Sequence, residues 1–145
     1  MQQTRNFMRH RIESSFSRQG FLTLLGARLL SVAPGGVSLA VTLRPEFSQQ
    51  HGAGHAGISF TLGDVAAGYA ALTLMEPGVE VMTSEMKIHL LRPAVGEELV
   101  AKGSVLKAGR RLIVTRADVF ARRGPDEVLI ATLLGTMVPV APELS

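Results

Sequence analysis

A glycine-rich segment before a predicted helix is the first part of the sequence that could do chemistry. Residues 52–57 follow the pattern G-x-G-x-x-G, but residues 45–51 separate them from the preceding predicted strand, which disfavours a dinucleotide-binding turn. His51 and His55 are four residues apart, yet the glycines between them oppose the helix that a zinc-binding pair needs. Two interpretations remain: a helix N-terminus whose free N–H groups stabilise an anion or oxyanion, and a turn that serves only close packing.

Asp64 is the second candidate, because it lies inside the helix that follows this segment. At 100° per residue it shares a face with Gly57, Thr61 and other small residues, and we expect that face to be covered. A carboxylate in such a place is either a structural acid with a paired partner or a functional one. His89 alternates with charged neighbours on a predicted strand, which favours a solvated or interface position over a catalytic one.

Two helices are predicted from hydrophobic spacing. Met8, Ile12 and Phe16 recur every fourth residue, so residues 4–19 should form an amphipathic helix. A second helix should start near His55, where larger apolar residues step by four and three positions and the other positions are mostly glycine and alanine. We expect this helix to pack closely on more than one side.

Six strands account for most of the other residues. The predicted strands cover residues 21–32, 37–43, 79–92, 98–107, 111–121 and 128–140. The links between the last four are short, so we expect neighbouring strands to be antiparallel. One long helix against one large antiparallel sheet is an α+β architecture.

Length and composition narrow the class of protein. The 145 residues favour one domain, and 46% hydrophobic against 19% charged residues exclude a disordered chain. With 5% aromatic residues and a net charge of +3, nucleic acid is not an expected partner. The sequence has no cysteine and no apolar signal segment in its first twenty residues, so we expect a cytoplasmic protein. Asp64 within the apolar residues 58–75 argues against a membrane span, and no membrane partner is expected.

Two separated stretches of the sequence together resemble one family. Residues 49–64 carry a glutamine, the run His55-Ala56-Gly57 and then an aspartate, and residues 83–94 form a predicted strand that ends in Arg92-Pro93. This combination resembles the hotdog-fold acyl-CoA thioesterases of the phenylacetate-degradation (PaaI-like) family. The likeness extends over about residues 21–140, and it implies a hotdog fold.

The resemblance implies a role for each residue that matches the family's motif. The residues carried over as catalytic are Asp64, Ala56, Gln49, Thr83, His55 and Gly57. Asp64 would be the catalytic carboxylate, and the backbone N–H of Ala56 would polarise the thioester carbonyl. Gln49 stands where the family has an asparagine that contacts the carbonyl or water, and Thr83 stands where a hydroxyl orients water. The family has glycine at the position of Ala56, a departure that keeps the backbone donor.

The resemblance also implies the domain boundaries and the assembly. Residues 1–20 would be a helix packed on a single hotdog domain at 21–140, with residues 141–145 as a C-terminal tail. Each site would take Gln49 and Ala56 from one subunit and the acid from its partner, so we expect a homodimer or a dimer of dimers.

The implied substrate is an acyl-CoA, and no metal or redox cofactor is required. Coenzyme A is a polyanion, so basic residues at strand ends and a turn are expected to cluster around its phosphates. These residues are Arg92, Lys107, Arg110 and Arg111. A solvated basic surface is the alternative interpretation. The identity of the acyl group does not follow from the sequence.

Two other functions share this fold. A non-catalytic acyl-CoA or acyl-carrier binding protein is one alternative, and the presence of Asp64 argues against it. A hotdog-fold enoyl hydratase is the other; it usually pairs an aspartate with a histidine a few residues later, and no histidine follows Asp64 within the helix.

Overall fold

The computed structural model describes residues 1–142, so the last three residues of the predicted tail, 141–145, lie outside the described part. The elements are α1 (Gln2–Ser17), α2 (Gly20–Leu25), β1 (Arg28–Ala33), β2 (Gly36–Thr42), a 3-10 turn (Pro45–Phe47), α3 (Ala56–Leu72), β3 (Glu80–Leu90), β4 (Glu98–Ala108), β5 (Ile113–Arg123) and β6 (Asp126–Val140). The predicted α+β class is confirmed.

The six strands form one sheet in the order β1-β2-β4-β5-β6-β3, and every neighbouring pair is antiparallel. The predicted antiparallel arrangement is confirmed, but β3 and β4 are not neighbours in the sheet although they follow each other along the chain, because β5 and β6 lie between them. Residues 91–97 connect the two strands. This link is long enough to pass the ends of β5 and β6, because seven extended residues reach more than about 20 Å and three strand spacings amount to about 14 Å. β3 is therefore an edge strand that pairs with β6.

α3 packs closely against the strands β2 to β6, as its small residues predict. A methyl group added at Gly103 of β4 would lie 2.2 Å from the carbonyl oxygen of Ala66. A methyl group at Gly63 would lie 2.6 Å from a methyl of Leu133 on β6. A larger side chain at Gly103 would push the helix off the sheet, whereas one at Gly63 would displace the side chain of Leu133. No helix within residues 1–142 is both long and apolar enough to cross a membrane.

α1 lies against α3 through the predicted stripe, in which Ile12 is fully buried. The hydroxyl of Tyr69 on α3 makes hydrogen bonds with the side chains of Ser15 at 3.0 Å and Gln19 at 2.6 Å. Arg11 donates to backbone carbonyl oxygens at the C-terminal end of α3 and in the turn that follows. These contacts fix the N-terminal helix over the outer end of α3.

The strand predicted over residues 21–32 is wrong in its first half, where the chain forms α2. Leu22 and Leu25 are buried and the two residues between them are exposed, which is a helical spacing. Gly26 ends this helix with φ of +68°, a conformation that glycine adopts without strain. A continuous apolar run has no period that distinguishes a strand from a short helix, so the sequence pattern did not show α2.

Candidate active site

The first residue of α3 has a backbone N–H that is unpaired at the surface. His55 is the N-cap residue: its Nδ1 accepts a hydrogen bond from the N–H of Gly57 at 2.9 Å, and its carbonyl oxygen accepts one from Ile58 at 2.9 Å. The N–H of Ala56 makes no hydrogen bond within residues 1–142, and Ala56 is exposed. The positive end of the helix dipole is therefore available to a ligand at Ala56.

The loop before α3 holds Gln49 beside this donor. The N–H of Gln49 donates to the carbonyl oxygen of Ala53 at 2.8 Å, and Gly52 turns the loop with φ of +87°. The side-chain Oε1 of Gln49 accepts from the N–H of His51 at 2.6 Å. Because this bond fixes the amide oxygen, the NH₂ group of Gln49 is oriented as a donor.

Gln49 and Ala56 line one open pocket of about 380 Å³. Residues 90–94, at the end of β3 and just after it, also line the pocket. Arg92 in this segment is held by a hydrogen bond from its guanidinium to the carbonyl oxygen of Leu129 at 3.0 Å. Ser59, which is buried, also lines the pocket, and the sequence pattern did not single it out. Its spacing of three residues from Ala56 is the signal that places both on one helix face.

Asp64 lies two turns further along α3 and is bound to Thr83 of β3. The Thr83 hydroxyl donates to Oδ1 of Asp64 at 2.7 Å and lies 3.3 Å from the sulfur of Met137. The other carboxylate oxygen makes no hydrogen bond within residues 1–142. Asp64 is half-buried and Gly57 on the same face is exposed, so the expectation that this face is covered is wrong at its start.

One chain does not bring all of these groups together. Ala56 and Asp64 are eight residues apart, which is about 12 Å along the helix axis. Neither Asp64 nor Thr83 lines the pocket that holds Gln49 and Ala56. The structure therefore contains two half-sites: Gln49 with Ala56, and Asp64 with Thr83.

The basic residues predicted to surround the phosphates of CoA are similarly divided. They are Arg92, Lys107, Arg110 and Arg111. Arg92 lies beside the pocket of Ala56, whereas the other three lie at the turn between β4 and β5. Ile113 next to this turn pairs with Met137, which pairs with Thr83, so the turn is at the same end of the sheet as Thr83. The prediction of one cluster is therefore wrong within a chain.

The clearest electrostatic perturbation lies away from both half-sites, near the turn between β5 and β6. Hydrogen bonds from Lys102 and Arg122 hold the pKa of Glu127 below its usual value. The same contact with Glu127 raises the pKa of Arg122. Across residues 1–142, no three His, Asp or Glu side chains gather as a metal site requires.

A long helix packed on a six-stranded antiparallel sheet is the hotdog-type fold of thioesterases. The profile of the Thioesterase superfamily matches residues 51–128. The chain belongs to this superfamily, and the predicted resemblance is confirmed.

Three relatives illustrate the similarity. A crystal structure of a thioesterase family protein from Silicibacter pomeroyi has 39% sequence identity and a TM-score of 0.90, and the match covers 93% of this chain and 99% of that one. Human acyl-coenzyme A thioesterase 13 is 32% identical over 114 residues, 77% of this chain and 81% of that protein. PaaI from the phenylacetic acid degradation operon of E. coli shares the fold, with a TM-score of 0.85 at 20% identity over 94% of this chain and 96% of that one.

Proposed function

We propose that this chain hydrolyses the thioester bond of an acyl-CoA and releases a free acid and CoA. The observation that carries the proposal is a pair of groups with free hydrogen-bonding capacity within residues 1–142. They are the N–H of Ala56, which has no acceptor, and the carboxylate of Asp64, which has one oxygen held by Thr83 and the other without a hydrogen bond. Thioester hydrolysis needs a donor for the developing oxyanion and a base or nucleophile for the acyl carbon. The names of the relatives support the same reaction class.

In the proposed reaction the thioester carbonyl oxygen accepts hydrogen bonds from the Ala56 N–H and the Gln49 amide. Attack on the carbonyl carbon builds negative charge on this oxygen, which the start of α3 stabilises more strongly than the neutral ground state. His55 contributes by occupying the Gly57 N–H, which leaves the Ala56 N–H as the available donor.

Asp64 acts in this reaction as a general base or as a nucleophile. As a base it takes the proton of the attacking water; a C–O bond forms, the C–S bond breaks, and the proton passes to the CoA sulfur. As a nucleophile it forms a mixed anhydride and expels CoA, and water then hydrolyses the anhydride to the same products. In both cases Thr83 orients the carboxylate through its 2.7 Å hydrogen bond.

The two half-sites support an active homodimer in which each site is shared between subunits. Direct attack places the acid about 3.5 Å from the acyl carbon and the donor about 3 Å from the carbonyl oxygen, so the two groups lie within about 8 Å of each other. The rise of about 12 Å from Ala56 to Asp64 exceeds this reach. A second chain that presents its own Asp64 and Thr83 to the pocket of Ala56 completes the site.

The same dimer would bring the two separate groups of basic residues to one substrate. Arg92 accompanies the Ala56 half-site, and Arg110 and Arg111 lie at the sheet end that carries Thr83. In the proposed dimer, residues from both subunits would therefore surround one CoA. We propose that their positive charge binds its phosphates.

The experiment that tests this function compares Asp64→Asn with a matched variant, Asp118→Asn. Asp118 on β5 also accepts a hydrogen bond from a threonine hydroxyl, that of Thr132, at 2.7 Å, but lies outside both half-sites. Release of CoA from an acyl-CoA should fall by about 10² to 10⁴-fold in Asp64→Asn, as expected for a lost base, and should be retained in Asp118→Asn. Equal rates for the two variants would contradict the assignment of Asp64.

A further inference from the structure

A β-bulge in β3 decides which hydroxyl side chain of this strand faces α3. Thr83 pairs with Met137 of β6. From there β3 advances by two residues to Glu85 while β6 advances by one, so Ser84 is an extra residue in the ladder. If the regular pairing after the bulge continued through it, Ser84 would stand opposite Met137. Thr83 would then point to the other face of the sheet, because side chains alternate along a strand.

The face of β6 that carries Met137 is the one that packs on α3. Met137 is fully buried, and its sulfur lies 4.0 Å from the position that a methyl group at Gly68 of α3 would take. Asp64 precedes Gly68 by four residues, about one helical turn, and it accepts the hydrogen bond from Thr83. The bulge thus gives Asp64 the hydroxyl of Thr83 as its partner, in the place that Ser84 would take in a regular strand.

Gly135 of β6 makes room for the bulge. A methyl group at this position would lie 2.6 Å from the sulfur of Met86 and 2.9 Å from the backbone carbonyl oxygen of Glu85. The Met86 side chain can rotate away, but the carbonyl is part of the bulge itself. On the other side of Gly135, the buried Thr115 of β5 donates to its carbonyl oxygen at 3.2 Å, which holds β6 in place. A side chain at this position would therefore oppose the bulge.

We propose that Gly135 is a positioning residue of the proposed active site. By admitting the bulge, it selects Thr83 as the hydroxyl that orients Asp64. The inference rests on the proposed thioesterase function and adds a residue that acts on the half-site of Asp64 and Thr83 without touching the substrate. With a side chain at position 135, the regular pairing would bring Ser84 opposite Met137 and turn Thr83 to the other face.

The test measures kcat and KM with octanoyl-CoA for Gly135→Ala, Thr83→Val and the double variant. Each single variant should lower kcat by about 10- to 10²-fold, because the carboxylate loses its orientation, and change KM by less than about 2-fold. The double variant should be no slower than the slower of the two single variants, because Gly135 acts through the Thr83 hydroxyl. Losses that multiply in the double variant would show two independent effects and would overturn the inference.

Deletion of Ser84 provides a rescue that follows from the strand pairing. Without the extra residue, Thr83 keeps Met137 as its partner in a regular ladder, so it stays on the face of α3 although the bulge is gone. Deleting Ser84 from the Gly135→Ala chain should therefore return kcat to within about 3-fold of the native value. A kcat that stays at the level of Gly135→Ala would overturn the inference.

Gly96→Ala is the matched control for a new side chain beside a backbone carbonyl. A methyl group at Gly96 would lie 2.8 Å from the carbonyl oxygen of Arg122, outside the half-site of Asp64 and Thr83. Whatever its effect on kcat, the fold-change should be the same with and without the Thr83 hydroxyl, since the two positions are independent. Loss of this independence would show that the double variant does not measure action through Thr83, and the inference would fall.

The inference stays testable if Gly135→Ala does not fold, as judged by circular dichroism and light-scattering mass. Deletion of Ser84 from the native chain then takes its place. This variant should keep kcat within about 3-fold of the native value and should still be slowed by Thr83→Val, because Thr83 keeps its face. A folded deletion variant that is as slow as Asp64→Asn would overturn the inference.

Failure of the proposed function is distinguishable from failure of this inference. If the native chain releases no CoA from octanoyl-CoA, NMR measures the contact between the methyl groups of Thr83 and Met137, whose hydroxyl oxygen and sulfur lie 3.3 Å apart. This contact should be present in the native chain, absent in Gly135→Ala and present again when Ser84 is also deleted. That pattern without hydrolysis would support the role of Gly135 and reject the thioesterase. A contact that persists in Gly135→Ala would overturn the inference.

Discussion

Mixing two inactive variants should restore activity if each site is shared between two subunits. The first variant is Asp64→Asn, which removes the acid. The second is Ala56→Pro, which removes the proposed oxyanion donor. Ala56 is the first residue of α3, where proline is favoured, and His55 before it has the extended conformation that a following proline requires. The helix should therefore survive while its N–H donor is lost.

The expected magnitude follows from the geometry of the half-sites. Loss of one oxyanion donor lowers kcat by about 10² to 10³-fold and loss of the base by about 10² to 10⁴-fold, so each variant alone should retain about 1% or less. If the two chains are unfolded together and refolded at equal amounts, half of the dimers are mixed. Each mixed dimer contains one site with both an intact Ala56 and an intact Asp64. The mixture should therefore recover about a quarter of the native activity.

The assay is release of free CoA thiol, with native chain taken through the same refolding step as the reference. Ala56→Ser keeps the backbone N–H and should stay active, which separates loss of the donor from a change of side chain. If native chain recovers and the mixture stays near 1%, the site lies within one chain. A light-scattering mass of one 15.5 kDa chain with activity intact would refute the shared site as well.

Three further predictions concern binding and stability. Arg110→Ala with Arg111→Ala should raise KM for acyl-CoA and leave kcat nearly unchanged, because phosphate contacts bind ground state and transition state alike. Arg11→Ala should lower the free energy of unfolding by about 1.5 to 3 kcal/mol in urea titrations, because charged hydrogen bonds to the turn after α3 are lost. Glu127→Gln should destabilise the chain by less than about 1 kcal/mol near neutral pH, since its pair with Lys102 is exposed. The lowered pKa of Glu127 means that this difference is present above the usual pKa of a glutamate and disappears as the pH falls through the folded value.

Each of these predictions has a matched control. Replacing Arg5 and Arg9 of α1 with alanine deletes the same number of charges as replacing Arg110 and Arg111, and it should leave KM unchanged. A fall in kcat for the variant that lacks Arg110 and Arg111 would contradict phosphate binding. Arg18→Ala removes an arginine whose side chain bonds only within its own helix and should cost less stability than Arg11→Ala. Asp126→Asn is the control for Glu127, and an effect of Glu127→Gln that grows in acid would contradict a lowered pKa of Glu127 in the folded chain.

Local spacing was enough to predict α1, α3 and most of the strands. Met8, Ile12 and Phe16 recur at the spacing of one helix face, which predicts α1. The small residues around Gly63 predict a helix that packs closely against the sheet. The candidate residues came from a different source. The resemblance singled out Asp64 together with Thr83, and the structure shows their hydrogen bond, but their roles stay predictions.

The features that the sequence did not show depend on contacts between distant residues. α2 forms because Leu22 and Leu25 can both be buried from a helix, which a continuous apolar run does not indicate. The crossing from β3 to β4 is fixed by the pairing of β3 with β6, and a short link alone does not distinguish it from a hairpin.

The most direct test of the proposed thioesterase activity is the product balance of the native chain with octanoyl-CoA over many turnovers. Mass spectrometry would measure free octanoic acid and CoA. The Asp64→Asn variant, purified in the same way, would be measured in parallel. We expect equal amounts of acid and CoA in large excess over protein from the native chain, and intact thioester with Asp64→Asn. Tight binding of octanoyl-CoA by the native chain, with the thioester recovered unchanged, would contradict the proposed activity and identify a binding protein instead.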